Sequence, residues 1–496
     1  MASLDTLMTE ILQGICQHLA LISTESLRNL CLTNRSLNHI CSPILVYRWG
    51  NSKDCTEPSL ERFVVHLYKN PELRKKVRSI KIGYDVIDEW QLSPLDVDIE
   101  TLAVLARAAE TDVKMEPEHL ACLCLDLKHG CRDALAVLLM AWCTRVTNLS
   151  ITVPDFIWHG NEHCHVLTFA KQAILRLLAD EVPRDFPLGE IRHVEVNRSC
   201  LRHEIHLEFP TIFLHIPKIK SLETSGLSDS VSLEGMLIGE RFVPFGSDYF
   251  SHYALSITHT PSTVQELVLS NAALSADTLS TLILGIPGLK KLKFHNTEYE
   301  TEYGEKPDYE GIVKSIRACR DTLEELDLFV NTCGVLQNDD TCMLEQDLFV
   351  YDMIRDVDVY EGFDCLRRLS CPMSNLFAAT SDGDGYNFSV VLDRLPESIE
   401  YLRPRCPDLL ECWDRGRNSE EICIRSFVEL LEEARVKQRL CDLKVLDLSE
   451  TFVDDSDSFG IRKLKQTAKS RGIELLLHDG VFIRPYTSAS LVNGGL

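Results

Sequence analysis

One six-residue pattern, apolar-x-x-apolar-x-apolar, decides the fold of this chain. It is clearest in residues 264–269 (VQELVL), 289–294 (LKKLKF) and 323–328 (LEELDL). Each copy ends in alternating apolar and polar residues, which is typical of a strand with one buried face. Successive copies start about 25 to 45 residues apart, in the range of known repeat arrays. Further copies begin at Val77, Leu120, Val146, Ile191, Ile219, Leu366, Ile399 and Leu443, and a last strand-like run begins at Ile473.

The stretches between these copies are compatible with helices. The clearest are residues 133–145, 276–285, 309–320, 422–439 and 459–470. One strand and one helix per unit is the plan of the leucine-rich repeat, in which stacked neighbours supply the core that no unit forms alone. We therefore predict the α/β class, with an irregular leucine-rich-repeat solenoid over residues 77–480 and a C-terminal tail over residues 481–496. Parallel strands would line its concave face and helices its convex face.

The competing fold is an ordinary doubly wound α/β domain, which also alternates strands and helices. The pattern recurs too often for one sheet of ordinary size. No phosphate-binding turn opens the first copy, so a nucleotide-binding domain is disfavoured.

Residues 1–50 predict a separate module of three short helices. Apolar residues recur there at helical spacing, and Ser23 and Thr24 are candidates to cap the second helix. So small a unit cannot bury all its apolar faces, so it should dock against the rest of the chain or another protein. Residues 51–76 read as a linker with one bridging helix, at residues 60–73.

The N-terminal motifs resemble those of fungal F-box proteins. Residues 7–12 (LMTEIL) and 15–19 (ICQHL) look like the opening of an F-box, and residues 26–37 (SLRNLCLTNRSL) look like its middle. Residues 40–48 (ICSPILVYR) are similar to the ending common in the fungal group, and residues 63–82 to its bridge between F-box and repeats. Met8 is a departure, because the family usually has proline there.

The resemblance implies a non-catalytic substrate-recognition adaptor of an SCF (Skp–cullin–F-box) ubiquitin ligase, in the cytoplasm or nucleus. In that family the F-box binds the Skp-type adaptor, and through it the cullin scaffold, while the repeats bind the target protein. Some apolar residues of the module must also form its own core. The positions that would contact the adaptor, or support that contact, are Leu7, Ile11, Ile15, Leu19, Leu27, Leu30 and Leu37.

Two other functions fit parts of the sequence. The chain could be a leucine-rich-repeat scaffold not linked to ubiquitination, with the N-terminal helices capping the array. An enzyme on an α/β sheet would need a deep pocket with convergent polar groups. No nucleophile elbow, P-loop or dinucleotide fingerprint occurs in the chain, so we expect no catalytic residues and no cofactor.

Charges on the predicted strands offer a substrate-binding surface. Opposite charges would lie side by side, because neighbouring strands are about 4.8 Å apart. They could form a cross-strand ladder that stabilises the sheet, or a surface that orients a partner protein. The candidate substrate-binding residues are Lys290, Lys291, Lys293, Glu324, Asp327, Arg367 and Arg368.

Composition excludes several classes of function. The 496 residues carry a formal charge of −24, which repels a phosphate backbone, so no nucleic-acid partner is expected. No apolar run is long enough to cross a bilayer, so no membrane partner is expected. The 19 cysteines are scattered, several within apolar stretches, which favours a reducing compartment.

One segment, residues 159–165 (HGNEHCH), holds several side chains that bind zinc. It lacks a second, distant pair of ligands, so we interpret it as a loop and predict no metal. Cys122 and Cys124 alternate along the predicted strand that starts at Leu120, so two thiols would share one face of the sheet.

Overall fold

The computed structural model describes most of the chain. The described residues are 8–50, 59–83, 97–153, 165–178, 186–198, 205–228, 237–238, 241–242, 261–296, 309–330, 360, 362–372, 376–381, 386–390, 392, 395–405, 419–452 and 458–478. The predicted tail at residues 481–496 lies outside them. The chain divides into two compact units, residues 1–270 and residues 271–496.

The first unit begins with three helices, α1 (Thr9–Ile22), α2 (Thr24–Cys31) and α3 (Arg35–Leu45). Side-chain caps start two of them: Ser23 accepts a hydrogen bond from the Ser26 N–H, and Asn34 from the Leu37 N–H. The three helices pack against one another. The chain then enters β1 (Arg48–Gly50), which pairs in parallel with β2 (Ser79–Ile82).

The main sheet of the first unit is parallel and has the order β1-β2-β3-β4-β6-β10. Leu149, Val194 and Leu222 are buried, and they are direct neighbours in the register. The central apolar position of each copy thus forms a continuous buried column. The remaining strands of the unit are β3 (Asn148–Val153), β4 (His193–Arg198), β5 (Ile205–His206), β6 (Ser221–Ser225), β7 (Leu227–Ser228), β8 (Leu237–Ile238), β9 (Arg241–Phe242) and β10 (Glu266–Ser270).

Helices cover the buried side of this sheet. The bridging helix is shorter than expected, ending at Lys69, and a 3-10 helix, Pro71–Lys76, follows it. Every residue from Asp133 to Trp142 is buried, so α7 is surrounded by its neighbours. The helices are α4 (Leu60–Lys69), α5 (Ile99–Asp112), α6 (Pro117–Lys128), α7 (Arg132–Trp142), α8 (His165–Leu178) and α9 (Glu208–Thr211), which a 3-10 helix, Ile212–His215, extends.

The predicted strand at Leu120 is wrong, because these residues lie within α6. Leu123, Cys124 and Leu127 are buried whereas Leu125 is exposed, which is the period of a helix rather than of a strand. Pro117 occupies the first turn, where proline is favoured. Between β2 and β3 the described part of the chain therefore has three helices where the repeat plan has one.

The second unit alternates strands and helices more regularly. Its main sheet is parallel, in the order β11-β12-β13-β16-β17-β18, and an antiparallel hairpin, β14-β15, is inserted after β13. The elements are α10 (Ala276–Leu284), β11 (Lys291–Asn296), α11 (Tyr309–Ile316), β12 (Glu325–Val330), β13 (Arg368–Pro372), β14 (Phe377–Ser381), β15 (Tyr386–Val390), β16 (Tyr401–Arg405), α12 (Ser419–Val436), β17 (Val445–Asp447), α13 (Phe459–Ser470) and β18 (Glu474–Leu476).

The six-residue pattern has the same burial in both units. In the copy at Leu289, all three apolar residues are buried: Leu289, Leu292 and Phe294. The residues between them reach solvent on the other side of the sheet. The prediction of a mixed α/β fold with parallel strands is therefore confirmed.

Candidate interaction surfaces

The N-terminal module, defined as α1 to α3, has a small core of its own. The sulfur atoms of Cys16 and Cys41 are 3.2 Å apart at its centre. Burial raises the pKa of the Cys41 thiol, so it stays protonated and packs as an apolar group. The core contains Cys16, Leu27, Cys31 and Cys41, and Leu19, Ala20, Leu30, Ile40, Ile44 and Leu45 pack against it.

The α1 stripe, defined as Met8, Ile11 and Ile15, faces away from this core. These side chains are 67%, 44% and 40% exposed. They are three and four residues apart and therefore share one side of the helix. Leu32, which follows α2, is also exposed. The module thus leaves aliphatic side chains in water although it has a core available.

The structure divides the seven predicted adaptor-binding positions by exposure. Ile11 and Ile15 are accessible to a partner, whereas Leu7 lies outside the described residues. The other four support the module: Leu27 and Leu37 are buried, and Leu19 and Leu30 pack on the core. Met8 and Leu32 are also exposed but were not among the predicted positions, because Met8 stands where the family has proline and Leu32 falls outside the helical period.

A row of charged residues lies along the N-terminal edge of the second sheet. We call this row the second edge row, because it belongs to the second unit. It consists of the residues immediately before five strands: Lys290, Glu324, Arg367, Glu400 and Lys444. The N–H of each member donates to the carbonyl of the preceding one, at 2.7, 2.9, 2.8 and 2.8 Å. Side chains that alternate in sign are thereby held on adjacent strands.

All five of these side chains form ion pairs. Lys290 Nζ is 2.6 Å from Glu324 Oε1, Lys444 Nζ is 2.6 Å from Glu400 Oε2, and Arg367 Nη1 is 3.9 Å from Glu400 Oε1. Hydrogen bonds from Lys290 and Lys444 lower the pKa of Glu324 and Glu400 respectively. Opposite charges therefore lie side by side, as the ladder interpretation expects.

The next positions along the strands continue the pairing. Lys291 Nζ and Arg368 Nε each lie 3.6 Å from Glu325 Oε2, and the Arg368 guanidinium stacks 4.2 Å above the Tyr401 ring. Lys293 makes no ion pair within the described part of the chain. The predicted substrate-binding residues are thus brought together on one side of the sheet, and all but Lys293 already form an ion pair in the described part of the chain.

A denser polar network lies on the same side of the second sheet. Arg405 links three residues: its Nη1 is 2.9 Å from His295 Nε2, its Nη2 donates to Asp327 Oδ2 at 3.3 Å, and its Nε is 3.3 Å from Glu450 Oε2. His295 Nε2 also lies 3.1 Å from Asp327 Oδ1. This nitrogen can accept from the arginine or donate to the carboxylate, but not both.

The network continues onto β17 through Asp447. Its carboxylate accepts hydrogen bonds from the Tyr401 hydroxyl, the Ser449 N–H and the Ser449 hydroxyl. Burial alone would raise the pKa of Asp447, but the bonds from Ser449 and Tyr401, with the Arg403 charge, hold it below its ordinary value. Burial and the bond to Asp447 raise the pKa of Tyr401 to about 12.

Sequence reasoning selected only Asp327 from this network. The others were detectable, because Tyr401, Arg403 and Arg405 alternate along a recognised copy of the pattern and must share its solvent side. The network contains charges of both signs, already paired, which suits a rigid recognition surface better than an acid–base pair.

The predicted zinc-like segment contributes one described residue, His165. It is buried; its N–H donates to Asp133 Oδ2 at 2.5 Å and its Nε2 lies 2.7 Å from Asp126 Oδ2. Residues 159–164 lie outside the described residues. Within the described ranges, no three His, Cys, Asp or Glu side chains are arranged to hold a metal ion. Cys122 is exposed and Cys124 buried, so the prediction that they share a face is wrong.

The first sheet has the same edge row with different side chains. The first edge row is defined as Arg78, Thr147, Arg192, Lys220 and Gln265, linked by N–H to carbonyl bonds of 2.8, 2.8, 2.7 and 2.8 Å. Arg78, Arg192 and Lys220 are cations, and the row has no acid. Sequence reasoning did not identify this row, because the copies at Ile191 and Ile219 are weak and their charges were not compared with that of Arg78 in the copy at Val77.

None of the helices in the described ranges combines the length and the apolar character needed to span a bilayer. No protein-family model matches the chain, and no curated protein matches it by sequence.

Proposed function

We propose that this protein is a non-catalytic substrate-recognition adaptor of an SCF ubiquitin ligase. The N-terminal module would be an F-box that binds a Skp-type adaptor, and through it a cullin. The two sheet-containing units would be parts of a leucine-rich-repeat solenoid that binds a target protein. Such a protein would act in the cytoplasm or nucleus. The proposal rests on the motifs of residues 7–48 together with one observation, the α1 stripe.

The stripe supports the proposal on physical grounds. Three apolar side chains on one side of α1 remain in water, although the module buries other apolar residues. Docking this side on an apolar partner would remove that surface from water, at about 25 cal/mol per Å². Interfaces place such aliphatic residues at their dry centre. The free module is therefore incomplete as an isolated unit.

The repeat interpretation is supported by the buried columns. Leu292, Leu326 and Leu369 are buried neighbours on three successive strands, and the copies before and after them repeat this position. Each strand depends on adjacent strands to bury its apolar residues, as in repeat proteins. The opposite side of the second sheet carries arginine and aromatic side chains, such as Arg368 and Tyr401, and these residue types are enriched in protein–protein interfaces.

Co-purification with the Skp-type adaptor tests the proposal. We expect the full chain to retain the adaptor, and the double variant Ile11→Glu/Ile15→Glu to lose it, because two carboxylates would be buried at the interface. The matched control is Leu284→Glu/Val436→Glu, which changes two exposed aliphatic residues of the second unit. Failure of the full chain to retain the adaptor, or equal loss in both variants, would sink the proposal.

A scaffold with a helical cap is the second candidate, and one observation favours it. The module leads directly into β1, which is the first strand of the sheet, and the Arg78 N–H donates to the Tyr47 carbonyl at 2.9 Å. If the module is only a cap, deleting residues 1–45 should expose β2 to hydrogen exchange. If it is an F-box, the deletion should abolish adaptor binding and leave the protection of β2 largely intact.

A further inference from the structure

The first edge row places cations on adjacent strands without compensation. Arg192 and Lys220 are neighbours, because the Lys220 N–H donates to the Arg192 carbonyl at 2.7 Å. Both side chains are exposed. Arg78 lies two strands away, with Thr147, the residue before β3, between them, and its guanidinium donates to the backbone carbonyls of Lys75 and Val77. Within the described part of the chain, none of the three cations forms an ion pair with a carboxylate.

Glu190 and Glu266 are acidic residues near the row: the Glu266 N–H donates to the Lys220 carbonyl at 3.0 Å, and the Glu190 carboxylate is already paired. Glu190 Oε1 is 2.6 Å from Lys218 Nζ. The hydrogen bond from Lys218 lowers the pKa of Glu190, with smaller contributions from the charges of Arg145 and Arg192. Arg145, Arg192 and Lys218 thus all act on the Glu190 carboxylate. The edge row itself keeps positive charge on a chain whose formal charge is −24.

This arrangement is unfavourable in the free protein. Like charges on directly neighbouring strands destabilise a sheet, whereas opposite charges stabilise it. At the equivalent positions of the second sheet the signs alternate and the side chains pair. An acidic residue in place of Lys220 would have given the first sheet the same pairing. An anionic ligand would offset the repulsion that the present residues retain.

We propose that Arg78, Arg192 and Lys220 form a binding site for an acidic, extended segment of a partner protein. Neighbouring strands are about 4.8 Å apart, so Arg192 and Lys220 are about 5 Å apart along the edge and Arg78 is about 10 Å further on. An extended peptide advances about 3.3 Å per residue, so roughly five residues cover the three cations. Carboxylates two and three residues apart would meet successive cations.

A peptide fits this site better than a polynucleotide does. Nucleic-acid affinity depends on neutralising many phosphates at once. Three cations on a strongly acidic chain supply few such contacts, and the surrounding field repels a long polyanion. A short acidic segment meets the local charge without approaching the rest of the surface. The inference rests on the proposed function in one respect: the acidic segment is taken to belong to the protein that the ligase recruits.

Fluorescence anisotropy with a labelled oligoglutamate peptide tests the site on the full chain. We expect binding that weakens as salt is added, with no binding of the oligoglutamine counterpart. Lys220→Glu should weaken binding by about tenfold or more, because it removes one cation and neutralises its neighbour. The matched control is Lys463→Glu, which makes the same charge change at an exposed position of α13.

Stability provides the second measurement. Lys220→Glu should leave the unfolding midpoint unchanged or raise it, since it replaces a like-charge pair by an opposite one. Lost binding in a protein at least as stable cannot come from unfolding. Absent peptide binding, or equal weakening by both variants, would overturn the proposal, and so would tighter binding of single-stranded DNA than of the peptide. Co-purification with the Skp-type adaptor is a separate measurement. If the chain binds the peptide but does not retain the adaptor, only the ligase role is rejected.

Discussion

The two edge rows have the same backbone hydrogen bonds but different patterns of charge. In both sheets the residue before each strand donates its N–H to the equivalent residue of the preceding strand, at 2.7–2.9 Å. The second edge row carries Lys, Glu, Arg, Glu and Lys in order, whereas the first carries Arg, Thr, Arg, Lys and Gln. The fold thus determines where these side chains lie but not their charge.

The comparison separates residues that hold the sheets together from residues that give each sheet its surface. The buried columns are apolar in both units, because every copy must exclude water there. Most of the edge positions are exposed, so their contribution to folding is small and either pattern is tolerated. In the second sheet the edge side chains form ion pairs, whereas the first sheet keeps uncompensated positive charge. Differences between the two units are therefore informative about binding.

The largest effect on stability should come from substitutions in the buried apolar positions that both units share. Leu149 of β3 and Leu326 of β12 are buried at the central position of their copies. Truncation of either to alanine leaves a cavity and should cost about 2–5 kcal/mol of unfolding free energy. Denaturant unfolding measures the loss, and hydrogen exchange should locate it in the unit that carries the change. A loss below about 1 kcal/mol at either site would contradict the shared core.

The next largest effect is a dependence of stability on pH. It is expected in the second unit, because that unit contains the buried network around Asp447. The pKa of Asp447 is lowered in the folded protein, so its ionised form adds stability above the ordinary aspartate range near pH 4, and this is lost as pH falls further. Asp447→Asn should therefore lower the unfolding midpoint at pH 7, and its difference from the native protein should shrink below about pH 4.

The control for this pH series is Glu118→Gln, which removes an exposed charge from α6 of the first unit. It should leave the unfolding midpoint nearly unchanged throughout. If Asp447→Asn behaves like this control at neutral pH, the network does not stabilise the second unit.

A smaller effect, of opposite sign, is expected at the last buried position of one copy in the first unit. Thr224 of β6 stands where Leu328 and Cys371 stand in the second unit, and its buried hydroxyl has no hydrogen-bond partner among the described residues. Thr224→Val should stabilise the protein by about 1 kcal/mol, since it removes an unsatisfied polar group and keeps the shape. Thr211→Val is the comparison, because the Thr211 hydroxyl donates to the Leu207 carbonyl at 2.9 Å, and it should destabilise.

The smallest effect concerns the second edge row itself. Glu400→Gln removes the partner of both Arg367 and Lys444. Because these side chains are largely exposed, the unfolding midpoint should fall only slightly, and less than with Asp447→Asn. The difference should disappear at high salt, where exposed charges are screened. A large decrease that persists in high salt would mean that the ladder is a major source of stability.

Much of the fold follows from local patterns in the sequence. The strands at Val146, Leu289 and Leu323 were predictable because the phrase combines a fixed spacing with alternation. α13 was predicted with the bounds that the structure shows, residues 459–470, since its cap and apolar period agree. These elements need no information about distant residues.

The failures arise where two periods overlap or where partners are distant. Leu120 and Leu123 fit the strand phrase, but their spacing of three also fits a helix, and Leu127 decides in favour of the helix. The β14-β15 hairpin interrupts the array, and the six-residue pattern does not predict it. The contacts of Arg405 with His295 and Asp327 join residues 110 and 78 positions apart. Alternation gives the face on which such residues lie, but not which of them touch.

A short connection joins the N-terminal module to the first sheet. Only Val46 and Tyr47 separate α3 from β1, and Trp49 of β1 stacks on Phe63 with ring centres 5.2 Å apart. A flexible tether would let a protein bound to the α1 stripe sample a wide volume and would dilute it relative to other sites. The packed connection instead fixes the distance between the α1 stripe and the first edge row. Two proteins held at these places would meet at high effective concentration and in one orientation.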